Sequence, residues 1–85
     1  DLSSPAPADP ALSRRMREEG RVVLRVRVSA GGQPEQVELS ASSGSGRLDN
    51  AAREAVRRWR FVPAKRGGQA VESWVLVPVV FKLEG

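Results

Sequence analysis

Between Arg21 and Ser29 every second residue is apolar: Val22, Leu24, Val26 and Val28 fall on one side, Arg21, Arg25 and Arg27 on the other. A period of two is that of a half-buried strand. Gly31-Gly32-Gln33-Pro34 supplies a turn, and the alternation resumes from Gln36 to Ala41 with Val37, Leu39 and Ala41 directed inward. The two runs predict a β-hairpin in which Glu38 lies across from Arg25 or Arg27, an opposite-charge pair worth roughly a few tenths of a kcal/mol. Ser42-Ser43-Gly44-Ser45-Gly46 reads as a capping loop, since it lacks the Gly-Lys-Ser/Thr ending of a phosphate loop. From about Arg47 to Trp59 the period lengthens: Leu48, Ala52, Ala55, Val56 and Trp59 recur at helical spacing, with Arg53, Glu54, Arg57 and Arg58 on the wet side. After Pro63 and the basic turn Lys65-Arg66-Gly67-Gly68, Val71 to Leu83 reads as one long strand. Val75, Val77, Val79, Phe81 and Leu83 make one of its faces, and Trp74, Leu76, Pro78 and Val80 the other.

Ahead of the hairpin, residues 1–8 are rich in Pro and Ala and read as the end of a linker. Asp9-Pro10 is a helix start, with Asp as N-cap and Pro at the first helical position. Leu12 and Met16 share a face, and Gly20 ends the helix. The chain order is therefore α-β-β-α-β, over residues 9–85. It predicts an α+β fold: a three-stranded antiparallel sheet, order 2-1-3, with two helices packed on one face. A right-handed crossover from the second strand places the third beside the first. Both outer strands then have open edges.

Pro78 carries the functional clue. Proline has no amide hydrogen, so within a sheet it belongs at an edge or a bulge. Its nitrogen must point away from the first strand, and backbone groups of alternate residues follow it. Trp74, Leu76, Val80 and Lys82 are thus expected to offer amides and carbonyls outward. A long apolar edge is an aggregation hazard unless something pairs with it. From the residues alone two readings stay open: an edge built to accept an added strand, or one covered by the chain's own tail or by a second copy.

Composition narrows the chemistry. Eighty-five residues make one small domain with a single core. Cys and His are both absent, which removes the residues of most zinc sites and of the common nucleophile–base pairs. Asp49 and Glu54, five apart on what reads as a polar surface, suggest neither a pocket nor a perturbed pKa. No catalytic residue, metal or cofactor is expected. Fourteen Lys and Arg against ten Asp and Glu give a net charge of +4, which opens nucleic acid, anionic surfaces and acidic peptides as partners.

The motifs as a set resemble the C-terminal domain of TonB-type energy transducers of Gram-negative bacteria, over about residues 9–83. They are Glu19-Gly20-Arg21-Val22, the Gly31-Gly32 turn, and Ser42-Ser43-Gly44 followed by Leu48-Asp49-x-Ala51-Ala52. Val56-Arg57-Arg58-Trp59-Arg60-Phe61-x-Pro63-Ala64 and Val77-Pro78-Val79-Val80-Phe81-Lys82-Leu83 complete the set. The resemblance implies a periplasmic domain at the end of an inner-membrane-anchored protein. It implies capture of the TonB box of an outer-membrane receptor by strand addition to the last strand. ExbB and ExbD would couple it to the proton-motive force for substrate import. The partner-binding residues are then Trp74, Val75, Leu76, Val77, Val79, Val80, Phe81 and Lys82. Asp9 and Pro10 stand where the family commonly has Tyr-Pro near the receptor, and an acidic residue does not replace an aromatic anchor there.

Two other classes compete with this one. A TolA-like periplasmic interaction module shares the architecture but serves different partners. A nucleic-acid binder would use Arg21, Arg25 and Arg27, yet Trp74 alone would offer a stacking platform, so no nucleic acid is expected. The same free edge that would take a peptide would also let two copies pair as a homodimer.

Overall fold

A computed structural model of the chain describes residues 18–83. Strand β1 spans Gly20–Val28 and β2 Pro34–Ala41; helix α1 spans Gly46–Val56; β3 covers Ala64–Arg66, β4 Gln69–Val71 and β5 Ser73–Phe81. The main sheet has the order β2-β1-β5 and is antiparallel throughout. This is the expected arrangement, with the last strand in third place. The expected helix beginning at Asp9-Pro10, including Leu12 and Met16, lies outside the described residues. Among the described residues there is one helix.

The central strand holds the core because both its neighbours and the helix shield its apolar side. Val22, Leu24, Val26 and Val28 are all but fully buried. Helix α1 packs over β1 and β2 and adds Leu48, Ala52 and Val56, while β5 adds Val77, Val79 and Phe81. Each of the Val, Leu and Phe side chains contributes about 1.5–3 kcal/mol relative to exposure. Trp59 and Phe61 pack against the same cluster, with ring centroids 5.9 Å apart.

Local chemistry fixes the connections. At the β1–β2 turn, the Ser29 hydroxyl accepts hydrogen bonds from the amides of Gly31 and Gln33. Gly32 is buried with φ +81°, and its carbonyl accepts the Phe61 amide at 2.8 Å. A Cβ on Gly32 would sit 2.2 Å from the Phe61 carbonyl oxygen. Only glycine satisfies both the left-handed backbone and this close approach. The Ser45 side chain caps α1 by accepting the Leu48 amide at 3.3 Å.

Several expectations need correction. The helix stops at Val56 rather than Trp59, because the chain tightens into i→i−3 bonds: the Arg58 amide donates to Ala55 and the Trp59 amide to Val56. The expected strand from Val71 to Leu83 is interrupted at Glu72, and Val71 belongs to a separate hairpin, β3–β4. Gly67 and Gly68, both with positive φ, form its two-residue turn, the combination that hairpins favour. Ala41 is exposed and Leu39 is 37% exposed, so β2 is less inward-facing than its alternation implies. A register shift between Val23 and Leu24 puts Ala41 opposite outward-facing Val23, whereas Leu39 keeps its place opposite buried Leu24 on the outer strand.

Asp49 is also corrected: it is buried, not on a polar surface. Its carboxylate accepts the Ser42 hydroxyl at 2.5 Å, the Ser43 amide at 3.0 Å and the Ser43 hydroxyl at 2.8 Å. Burial alone would push its pKa up. The three hydrogen bonds and the charge of Arg53 outweigh burial and hold it below the ordinary value. Its role is to tie the β2–α1 loop to the first turn of the helix.

Candidate functional site: the outer edge of β5

Strand β5 meets β1 along its whole length, from Gly20 opposite Phe81 to Val28 opposite Ser73, with Pro78 opposite Val23. In an antiparallel pair, hydrogen-bonded and non-hydrogen-bonded positions alternate. Pro78 has no proton to give, so Val23–Pro78 is a non-hydrogen-bonded pair. That phase assigns Ser73, Val75, Val77, Val79 and Phe81 to the β1 ladder. It leaves Trp74, Leu76 and Val80 with backbone groups pointing away from the sheet. Beyond the strand, the Glu19 carboxylate accepts the Leu83 amide at 3.0 Å. The alternation therefore carries on one step further and leaves exposed Lys82 on the outward phase. Among the described residues, no strand pairs with this edge.

The side chains divide in the same way. Val77, Val79 and Phe81 are buried and Val75 half-buried, so the side chains of these four are directed at the core and hold the strand down. Trp74, Leu76 and Val80 are 39%, 65% and 53% exposed and flank the free edge on the open face of the sheet. Asp9 and Pro10 lie outside the described residues.

The two outer strands are not equivalent. The β2 edge carries Pro34 at its start, register irregularities near both ends, and Glu35, Gln36 and Glu38. These are the devices that discourage edge pairing. On β5 the only interruption is Pro78, and the flank is apolar. Arginines decorate the same face but are mostly committed. Arg25 donates to Glu38 at 3.0 Å, and its guanidinium lies 3.8 Å from the centre of the Trp74 ring. Gln36 donates to the other Glu38 oxygen at 2.7 Å. Arg27 sits 3.9 Å from Glu72. With Arg25 on its face, Trp74 is not an open platform for a base.

Two of these features had no local signal in the sequence. Glu19 and Leu83 are joined across the chain, and the contact of Arg25 with Trp74 is diagonal rather than directly across. Both depend on the β1–β5 register, which no short motif encodes.

The fold is a small α+β domain whose last strand has a free outer edge among the described residues. Comparison with known proteins gives the family. Residues 5–83 match the family described as Gram-negative bacterial TonB protein C-terminal. The chain is 54% identical over 82 residues to protein tonB2 of Pseudomonas aeruginosa, covering 96% of this chain and 30% of that protein. It is 47% identical over 83 residues to protein TonB of Neisseria gonorrhoeae, covering 95% and 26%. The solution NMR structure of the Pseudomonas aeruginosa TonB CTD superposes with a TM-score of 0.83 at 27% identity, covering 99% of this chain and 85% of that one.

This chain belongs to the TonB C-terminal domain family. TonB proteins are energy transducers of Gram-negative bacteria, not enzymes. The chain spans less than a third of the length of the two relatives just described. No helix among the described residues is long and apolar enough to cross a membrane.

Proposed function

We propose that this domain captures the TonB box of an outer-membrane transporter by adding it as a fourth strand along β5. In this reading residues 1–8 end a linker, residues 9–85 form the receptor-binding domain, and the whole protein is anchored in the inner membrane. There ExbB and ExbD would supply force from the proton gradient. The observation that carries the reading is the outward phase of Trp74, Leu76, Val80 and Lys82 on an edge without the acidic residues and register shifts of β2. Backbone bonds would give such a complex affinity, and the apolar flank would give it selectivity. Added strands also load their hydrogen bonds together when pulled lengthwise, which suits a force-bearing contact.

The test is an NMR titration of the labelled domain with a TonB-box peptide, repeated at higher salt. Shifts concentrated on Trp74 to Lys82 and retained in salt are expected. Shifts confined to the arginines and abolished by salt would overturn strand capture. The same edge also allows self-pairing, which the concentration dependence of the free domain's spectrum reads out.

A further inference from the structure

From Arg57 to Val71 the chain carries Arg57, Arg58, Arg60, Lys65 and Arg66 and no carboxylate. All of these cations are exposed. Arg57 is paired with Glu54, but Arg58, Arg60, Lys65 and Arg66 have no carboxylate within ion-pair distance among the described residues. The fold gathers them at one end of the sheet. The Phe61 amide ties its segment to Gly32 in the β1–β2 turn, and Ser73 lies across from Val28, so the β3–β4 hairpin is rooted at that end. Two more carboxylates lie there: Glu72, 3.9 Å from Arg27, and exposed Glu35 on β2, across β1 from β5. Residues 64–70 are all exposed, so the hairpin is held by its own ladder and adds little to the core. Lys65 and Arg66 sit on opposite faces of it, directly before the turn. Gly67 and Gly68 carry no side chain, so the tip is bare backbone flanked by two cations.

We propose that this basic end, led by the β3–β4 hairpin, docks on an anionic phospholipid surface. Lys65 and Arg66 at the tip and Arg58 and Arg60 at the root meet lipid phosphates. A guanidinium matches a phosphate with two parallel hydrogen bonds, and Lys65 is the only lysine among these unpaired cations. The form of the hairpin selects this occupant. Two short strands exposed along almost their whole length make a finger, which suits a charged layer and not an enclosed small ligand. A stable protein interface buries roughly 800 Å² per partner around an apolar centre. Here Val62 is the one large apolar residue of the segment that is exposed. A nucleic acid needs stacking surfaces, and Trp59 and Phe61 are packed against the core. A headgroup layer needs none of these, since clustered cations bind it by charge. The inference does not rest on strand docking at β5, whose outer edge is built from other residues.

Flotation of the full chain with vesicles provides the test, using phosphatidylcholine alone and phosphatidylcholine mixed with phosphatidylglycerol. Binding to the mixed vesicles only, weakened by salt, is expected. Lys65→Gln/Arg66→Gln should lower the partition coefficient roughly 10- to 30-fold. Arg21→Gln/Lys82→Gln removes the same net charge at the opposite end of the sheet and should lower it less than about threefold. Both variants replace exposed side chains, so both should keep the fold. A nitroxide on the lipid headgroup should broaden the amide signals of residues 64–70 ahead of those of β5. No binding to the mixed vesicles would overturn the proposal. So would equal losses in the two variants, because net charge and not the hairpin would then govern binding. Broadening centred on β5 would overturn it as well, since the sheet edge and not the hairpin would then meet the lipid.

Discussion

Proline substitution along β5 separates the two roles of the strand, because the register makes opposite predictions for adjacent residues. Val80 shares the phase of Pro78, so its amide is not used by β1. Val80→Pro therefore removes no internal hydrogen bond, and the exposed side chain loses little burial. Its cost to stability should stay within about 1 kcal/mol, chiefly from backbone adjustment. Val79 has the opposite phase: it pairs with Val22, and its side chain is buried in the core. Val79→Pro removes a ladder bond and leaves the Val22 carbonyl unsatisfied, costing about 1–3 kcal/mol. With the lost core packing, the total should reach about 3–5 kcal/mol, a large part of the stability of so small a domain. Urea unfolding followed by Trp fluorescence measures both variants. Binding of a TonB-box peptide to Val80→Pro should weaken about fivefold, the loss of one net hydrogen bond of about 1 kcal/mol. If Val80→Pro destabilises the fold as much as Val79→Pro does, the phase assigned from Pro78 is wrong. If it spares the fold and leaves binding unchanged, the β5 edge is not the docking edge.

Gly32→Ala should destabilise by about 2–4 kcal/mol in the same urea assay: a left-handed backbone costs about 1–2 kcal/mol with a Cβ. The clash with the Phe61 carbonyl would also break the Phe61–Gly32 hydrogen bond; a loss below 1 kcal/mol would show that the turn relaxes freely. Asp49→Asn should cost about 1–3 kcal/mol at neutral pH, because an amide cannot accept all three donors with both of its heavy atoms. The folded pKa of Asp49 is lowered, so its stabilisation is fully present above the unfolded value of about 3.9 and fades as pH falls through the folded one. The gap between wild type and Asp49→Asn should therefore narrow below about pH 4 in acid titrations of stability; a constant gap would assign the loss to packing instead.

What the sequence made legible was whatever rests on short-range periodicity. The alternation of Val22 to Val28, the helical stripe from Leu48 to Val56 and the two faces of β5 all follow from one side being dry. Pro78 added the phase of the edge, since a missing proton is a fact of composition. The β3–β4 hairpin was hidden because its three-residue strands are mostly exposed and carry no apolar alternation. Asp49 was misread because its burial comes from the serine loop folding over it, six and seven residues earlier in the chain. Helical spacing places a residue on a face but does not reveal what a preceding loop lays across that face. The pairing of Arg25 with Glu38 was within reach, because one hairpin turn fixes it. The partners of Arg27 and Glu19 were not, as they depend on a register set by the whole β1–β5 ladder.

The β1–β5 ladder also shows how a domain this small could bear a pull. In the proposed complex the docked strand bonds to the outward residues of β5, while the inward residues of β5 bond to β1. No backbone group serves both neighbours, so occupying the edge takes nothing from the ladder beneath it. Load passed to β5 would reach β1 through a pairing that runs from Gly20 to Val28, the full length of the most buried strand. The β2 edge lacks that path: its register slips near both ends, and two of the residues it carries there, Leu39 and Ala41, are poorly buried. A strand added to β2 would pull on the weaker half of the sheet. The guarded edge is thus the one least able to carry force, and the open edge is the one backed by the core.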